Sequence, residues 1–430
     1  MKMDSREIDE GAGYIGYRDA FEMISENVRP VGDEDLPLNV CVGRIASSDL
    51  VAAMNYPSID VSLKDGFAVR SADVFHADRH NPVRLTVMGS SQAGTAFEGR
   101  VDCGCAVKVY SGAPIPGGAD AVVSGEFCDE MSPGKVLITA DAGPGRNILR
   151  SGVEVAAGVT IVRKGERLFP GRLGLAAAAG ISKIKVYRRP RVAIISVGDE
   201  IVAPGRRLQA GQLYASNLIT MEAWLGSFGF PCVTSVVPDH EGAIRQALKG
   251  CLPGVDAILT SGGAWGSERD LVVGVMDKLG WRKKFHYVRM GPGKGIAFGL
   301  WRNVPVFCLP GGPASNETAF LQLALPALSR MGGATAHPLQ VLQARLTEDV
   351  KGRHRAWTEF KDAVITGNDG GHYAVSPCKN RSRLQAIAGA DSVLCIPEGT
   401  ESLRKGDIVP VQLLTGLNDF DPFEPLPKSS

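Results

Sequence analysis

No run in this 430-residue chain approaches the ~20 consecutive apolar residues that a membrane-spanning helix needs, so no span is expected. Neither sign of charge is in excess. Lys and Arg number 47 against 46 Asp and Glu, a net charge of +1, which leaves no global field to attract nucleic acid or an anionic membrane. Any anion site must therefore be local. Readily legible catalytic signatures are also missing: there is no G-x-S-x-G elbow, no H-E-x-x-H pair and no G-x-x-x-x-G-K-[ST] loop. The nine cysteines are odd in number and scattered, which fits reduced thiols in the cytoplasm better than a disulfide framework. "CGC", Cys103 to Cys105, has no second Cys or His pair at zinc spacing and reads as a turn. The opening "MKMDSREIDE" is polar and acidic, unlike a secretory leader.

What is present is organised, and the length suggests about three domains. From Arg191 to about Arg330, "RVAIISV", "PCVTSVV" and "DAILTSGG" are continuous apolar runs bounded by turn residues, as in strands buried on both faces. Between them, "SNLITMEAWLGSFG" and "EGAIRQALKGCL" carry helical apolar spacing. Alternation of this kind predicts a central doubly wound parallel α/β domain. "YRDAFEMISENV" predicts an amphipathic helix, and residues 82–139 mix short β-like runs with Gly and Pro turns, as in mixed N-terminal domains. Beyond "SRMGGATAHP", the runs "VLQARL", "DAVIT", "YAVSP", "SVLCIP" and "DIVPVQLL" predict a small C-terminal β domain, barrel-like in character. The fold class is thus multidomain α/β plus β.

Four separated stretches coincide with known motifs. "YPSIDVSLKDGFAVR" resembles P-x-x-D-x-S-x-M-D-G-Y-A, and "YSGAPIPGGADAVV" resembles T-G-A-P-x-P-x-G-A-D-A-V-V. "VAIISVGDEIVAPG" resembles a strand ending in S-T-G-D-E-L, and "VFCLPGGPASNETAF" resembles L-P-G-N-P-x-S. Together, in this order from about Tyr14 to Leu414, they resemble the molybdopterin molybdenumtransferase family, related to the gephyrin E domain. The resemblance implies an elongated homodimer of four-domain chains. It places an N-terminal helical and linker domain at 14–64 and 145–187, an inserted β-rich domain at 65–144, a molybdopterin-binding-like α/β domain at 188–332 and the β domain at 336–418. It implies a cleft in which the α/β domain faces the partner's N-terminal and β domains. There, with Mg2+, molybdate enters the dithiolene of adenylated molybdopterin and AMP leaves. The other reading is a catalytically weak paralogue that binds molybdopterin or the finished cofactor as a carrier or scaffold. Its protein partners would then be other cofactor-biosynthesis proteins or molybdoenzymes.

Site residues follow position by position. Asp65 matches an acidic position of the family, although a turn-forming Asp-Gly reads the same locally. Glu154 stands where the family has Asp, and Asp239 matches a further acid; Asp65 and Glu154 would hold the metal. In "GPGKG", Lys294 matches the second lysine of K-P-G-K-P, while Gly291 replaces the first; the turn makes a small anion nest. Pro310, Gly311, Gly312 and Ser315 match the L-P-G-N-P-x-S turn, with Gly312 replacing its asparagine; Ser315 is either an anion ligand or a helix N-cap. Ala215 stands where an acid is expected, and a methyl cannot ligate a metal. In "SGGAWGSERD", Ser261, Gly262 and Gly263 end a strand, and Asp270 closes an S-x-x-D capping box from Ser267. Trp265, inside that turn, either stacks on a planar ring or packs between subunits.

Overall fold

The computed structural model describes residues 13–131, 134–263, 271–369, 372–378 and 382–414. The chain divides into two compact units, one of residues 34–186 and one assembled from the segments on either side.

The assembled unit contains a six-stranded sheet. Cys232–Val237, Val192–Val197, Ala257–Ser261 and Val304–Leu309 lie parallel in that spatial order, followed by Ala297–Trp301 and Arg282–His286, each antiparallel to the strand before it. The parallel core is the expected one. The antiparallel extension arises because Arg302 and Asn303, at φ 51° and 67°, form a two-residue turn between facing Trp301 and Val304. Successive strand residues feed opposite faces, so Ile194 and Leu259 pack with Leu218, Met221 and Phe320, whereas Ile195 and Ile258 pack with Ile244, Val272 and Met276. Helices therefore cover both faces.

Five strands close into a barrel: Thr358–Asp369, His372–Pro377, Val341–Leu346, Ile408–Leu413 and Ser392–Ile396, the last pairing back with the first. Its interior is filled by Ala344, Leu346, Ala363, Val375, Leu394 and Val411. The helix Tyr17–Asn27 is as its periodicity predicts, and it buries Ala20 and Ile24 against the sheet's first core rather than in the 34–186 unit. The helical run 313–331 contains a π turn at Phe320–Ala324, which ends two residues before Pro326.

The 34–186 unit is built on a six-stranded sheet of Ala121–Ser124, Gly66–Val69, Cys105–Val109, Val83–Ser91, Lys135–Ile138 and Cys128–Met131, with Pro170–Ala178 as its α-helix. A Cβ at Gly66 would lie on the Val123 carbonyl oxygen, so only glycine fits there. Among the described residues no helix is long and apolar enough to cross a membrane.

Candidate active site

The assembled unit holds a cleft of about 1410 Å³ between the carboxyl ends of the parallel strands and one side of the barrel. Carboxyl ends are where open α/β sheets place ligands, because the connecting loops diverge there. Two asparagines fix these ends. Asn217 Nδ2 donates to Ser261 Oγ (3.2 Å) and to the Gly311 carbonyl (2.8 Å). Asn316 Nδ2 donates to the same Ser261 Oγ (3.1 Å) and to the Pro310 carbonyl (2.9 Å). Gly262, at φ +92°, passes so close to the Val197 carbonyl that a Cβ would come within 2.6 Å of it. The backbone can make this turn only as glycine.

The opposite wall comes from the barrel. The strand Val288–Gly291 leaves the α/β sheet and pairs in parallel with Ile15–Gly16 and with the barrel strand, setting Gly291 opposite Glu359. The chain then turns through Gly293 (φ +113°), and the Lys294 carbonyl accepts from Val288 N (2.9 Å). The Lys294 ammonium lies over the Trp357 ring, 5.7 Å from its centroid.

Trp357, His354 and Arg353 share a turn pinned by the buried Glu359 carboxylate. That group accepts the His354 N–H (2.8 Å), the Arg353 N–H and the Lys361 ammonium (2.9 Å). Burial alone would raise the Glu359 pKa, but Lys361 and the two N–H groups outweigh it and hold the carboxyl below its usual range.

Near Ser315, Glu317 behaves oppositely. Its carboxylate is buried and, among the described residues, accepts only the Trp224 indole N–H (2.8 Å). Burial pushes its pKa up, the indole N–H offsets part of that, and the charge of Asp362 pushes it further. Burial also raises Asp362, whose side chain faces the cleft.

Most of the expected site residues converge. Asp239, Gly262, Gly263, Lys294, Pro310, Gly311, Gly312 and Ser315 line this one cleft, and Ser261 lies beneath its floor. The Asp239 N–H donates to Asp199 Oδ1 (3.0 Å), so two carboxylates share one edge. Ser315 is not a helix N-cap, because Gly312 takes that position and Ser315 is the third helical residue. Ala215 is the N-cap of Ser216–Ser227, with its methyl in the sheet's core. Asp65 and Glu154 belong to the 34–186 unit. Asp65 Oδ1 accepts the Ser111 N–H (2.7 Å), and exposed Glu154 donates its N–H to the Tyr56 carbonyl (3.2 Å). Trp265, Asp270 and the capping box lie outside the described residues. Among the described residues, no three His, Cys, Asp or Glu side chains gather as a metal site.

Sequence reasoning passed over Asn217 and Asn316, although both stand in quoted stretches, "SNLITMEAWLGSFG" and "VFCLPGGPASNETAF", read there for helical spacing and for neighbouring residues. It also passed over Trp357 and Glu359, which sit in a segment read only for strand pattern.

Three family models match in order along the chain. They are the MoeA N-terminal region (domain I and II) at residues 15–180, a probable molybdopterin binding domain at 193–330 and the MoeA C-terminal region (domain IV) at 343–414. Molybdopterin molybdenumtransferase 2 of Mycobacterium tuberculosis is 32% identical over 403 residues, 91% of this chain and 98% of the relative. The molybdopterin molybdenumtransferase of Haemophilus influenzae is 33% identical over 313 residues, 73% of this chain and 76% of the relative. The crystal structure of the molybdopterin biosynthesis MoeA protein from Pyrococcus horikosii superposes with a TM-score of 0.80 at 32% identity, covering 94% of this chain and all of that one.

Proposed function

The chain belongs to the MoeA family of molybdopterin molybdenumtransferases, and we propose that it inserts molybdate into adenylated molybdopterin with release of AMP, a step of molybdenum cofactor biosynthesis. The carrier or scaffold reading is weaker, since relatives matching most of the chain are named as transferases. One observation carries the proposal: Lys294 and the glycine-rich strand ends, distant in sequence, face a single cleft roomy enough for a large anionic ligand.

In this cleft Lys294 supplies the positive charge for an oxyanion, and the turn around Gly293 supports it. The amides of Asn217 and Asn316 hold the strand ends still, so the pocket is formed before the ligand arrives. Ser315 presents a hydroxyl to the same space, and Asp239 presents a carboxylate for proton transfer.

We assign the catalytic carboxylates Asp65 and Glu154 to the face that a second copy of the chain turns toward the cleft. A homodimer is supported by the apolar side chains that the 34–186 unit leaves exposed, among them Val40, Val42, Met54, Ile59, Val153 and Phe169. Mg2+ would shield the negative charge of the diphosphate. The donors fit an ion held largely by its substrate: Asp65 keeps one carboxylate oxygen without a hydrogen bond among the described residues, Glu154 is exposed, and Ala215 offers nothing. A cytoplasmic location is supported by nine cysteines, none of them in a disulfide.

The test is to add molybdate to the protein loaded with adenylated molybdopterin and Mg2+, and to quantify AMP by chromatography. Molybdate-dependent release is expected. Tight retention without release would replace this reading with the carrier.

A further inference from the structure

We propose that the indole of Trp357 is the surface on which a planar nitrogen heterocycle of the substrate stacks, beside the anion held at Lys294. The proposal rests on the function argued above and names a contact for it. The chemistry it requires is a flat fused ring next to an anionic group, which pterin and adenine share.

Three observations lead to Trp357. First, its indole N–H has no acceptor among the described residues. By contrast, Trp224 donates to Glu317 and Trp281 to Asp277, both at 2.8 Å. Trp301 also makes no such bond among the described residues, but it is a core residue only 3% exposed, whereas Trp357 is half-buried on a cleft wall with its polar edge uncommitted. Second, the ring is held in place before any ligand binds. Tyr14 packs against it at 6.0 Å with planes crossing at 78°, and Gly291 leaves room beneath it, where a Cβ would already touch the ring at 3.9 Å. The turn that carries it is fixed by Glu359 through two backbone N–H groups, so little conformational freedom remains to be lost on binding.

Third, the neighbours suit a ring joined to an anion. The Lys294 ammonium lies 5.7 Å from the indole centroid, so a heterocycle stacked near Trp357 places its anionic substituent within reach of that charge. The exposed His354 ring, 5.0 Å from Trp357, extends the aromatic surface along the cleft. An isolated inorganic anion has no use for this surface.

The experiment is calorimetry on the full chain with AMP, 6-carboxypterin and molybdate as separate probes, comparing wild type, Trp357→Phe and Trp357→Ala. Trp357→Ala is expected to weaken one heterocycle by about five- to a hundredfold, the range that base–aromatic stacking spans, while Trp357→Phe and molybdate stay within about threefold. The probe with the larger loss identifies the ring as pterin or adenine. Unchanged heterocycle affinity in Trp357→Ala overturns the proposal while leaving the transferase reading intact. A parallel loss of molybdate affinity also overturns it, because Trp357 would then act by positioning Lys294. A wild type that binds neither heterocycle overturns it as well, whereas Trp357-dependent ring binding without AMP release defeats only the transferase reading.

Discussion

The side-chain amides of Gln322 and Gln412 pair head to tail, each Nε2 donating to the other's Oε1, at 2.7 and 3.2 Å. Gln322 lies fully buried in the π turn, and Gln412 lies on a barrel strand, so this pair joins the α/β core to the barrel. The backbone of the same glutamine does a second task. Pro326 has no N–H for the carbonyl four residues earlier, and the Tyr17 hydroxyl donates to that Gln322 carbonyl instead, at 3.4 Å. Gln412→Ala, which leaves a buried amide unpaired, should lower stability by about 1–3 kcal/mol. Gln322→Leu with Gln412→Leu should cost less than the two single changes added together. Urea midpoints followed by near-UV circular dichroism would show it, and strict additivity would mean that the pair contributes no coupling.

Glu317 should make stability depend on pH in the direction opposite to a buried acid held by a charged partner, such as Glu359. Its folded pKa is raised, so the folded state takes up a proton before the unfolded state does, and stability falls as pH rises between the two values. Glu317→Gln keeps an oxygen for the Trp224 indole and has no proton to lose. The variant should melt at or above the wild-type temperature at pH 7, and the difference should vanish as pH falls below the ordinary glutamate range. A difference that grows on acidification would contradict burial as the dominant cause.

Lys294 should govern oxyanion affinity. Lys294→Ala is expected to weaken molybdate binding by about ten- to a hundredfold, the scale of a charge-assisted hydrogen bond. Unchanged calorimetric affinity would take Lys294 out of the site.

The assignment of carboxylates to a second copy can be tested by mixing Asp65→Asn and Lys294→Ala, at a molybdate concentration too low to fill the weakened Lys294→Ala site. If each cleft draws its lysine from one chain and its acid from the other, random exchange of subunits restores roughly a quarter of wild-type AMP release. No recovery after exchange, with mixed dimers verified by mass spectrometry of differently tagged chains, would place both groups within one chain.

The parallel strands were legible because burial on both faces leaves uninterrupted apolar runs, as in "AIISV" and "AILTS". The antiparallel extension was not, because Arg302–Asn303 lacks the Asn-Gly signal usual for such a turn. Local periodicity also predicted the Tyr17–Asn27 helix, but periodicity says which face is apolar and not which core it enters. In the cleft, glycine-rich turns announced the strand ends and Lys294. Trp357 and Glu359 gave no such notice. Their importance depends on Gly291 meeting Glu359 across paired strands, a contact between distant segments that no spacing rule encodes.

The route of the chain around Lys294 has a mechanical consequence. After His286 the backbone leaves the α/β sheet through Tyr287, at φ 74°, joins the barrel's sheet for Val288–Gly291 and returns through residues 292–296 to the α/β sheet. The turn that carries the lysine therefore links two sheets of one compact unit, with one end fastened to each. The two sheets also share one apolar core, to which Phe360 and Val393 of the barrel belong together with Phe298 and Phe307 of the α/β sheet, so the turn is held against both at once. An anion seated at Lys294 would therefore rest on a strap tied down at both ends, and its pull would be shared by both sheets.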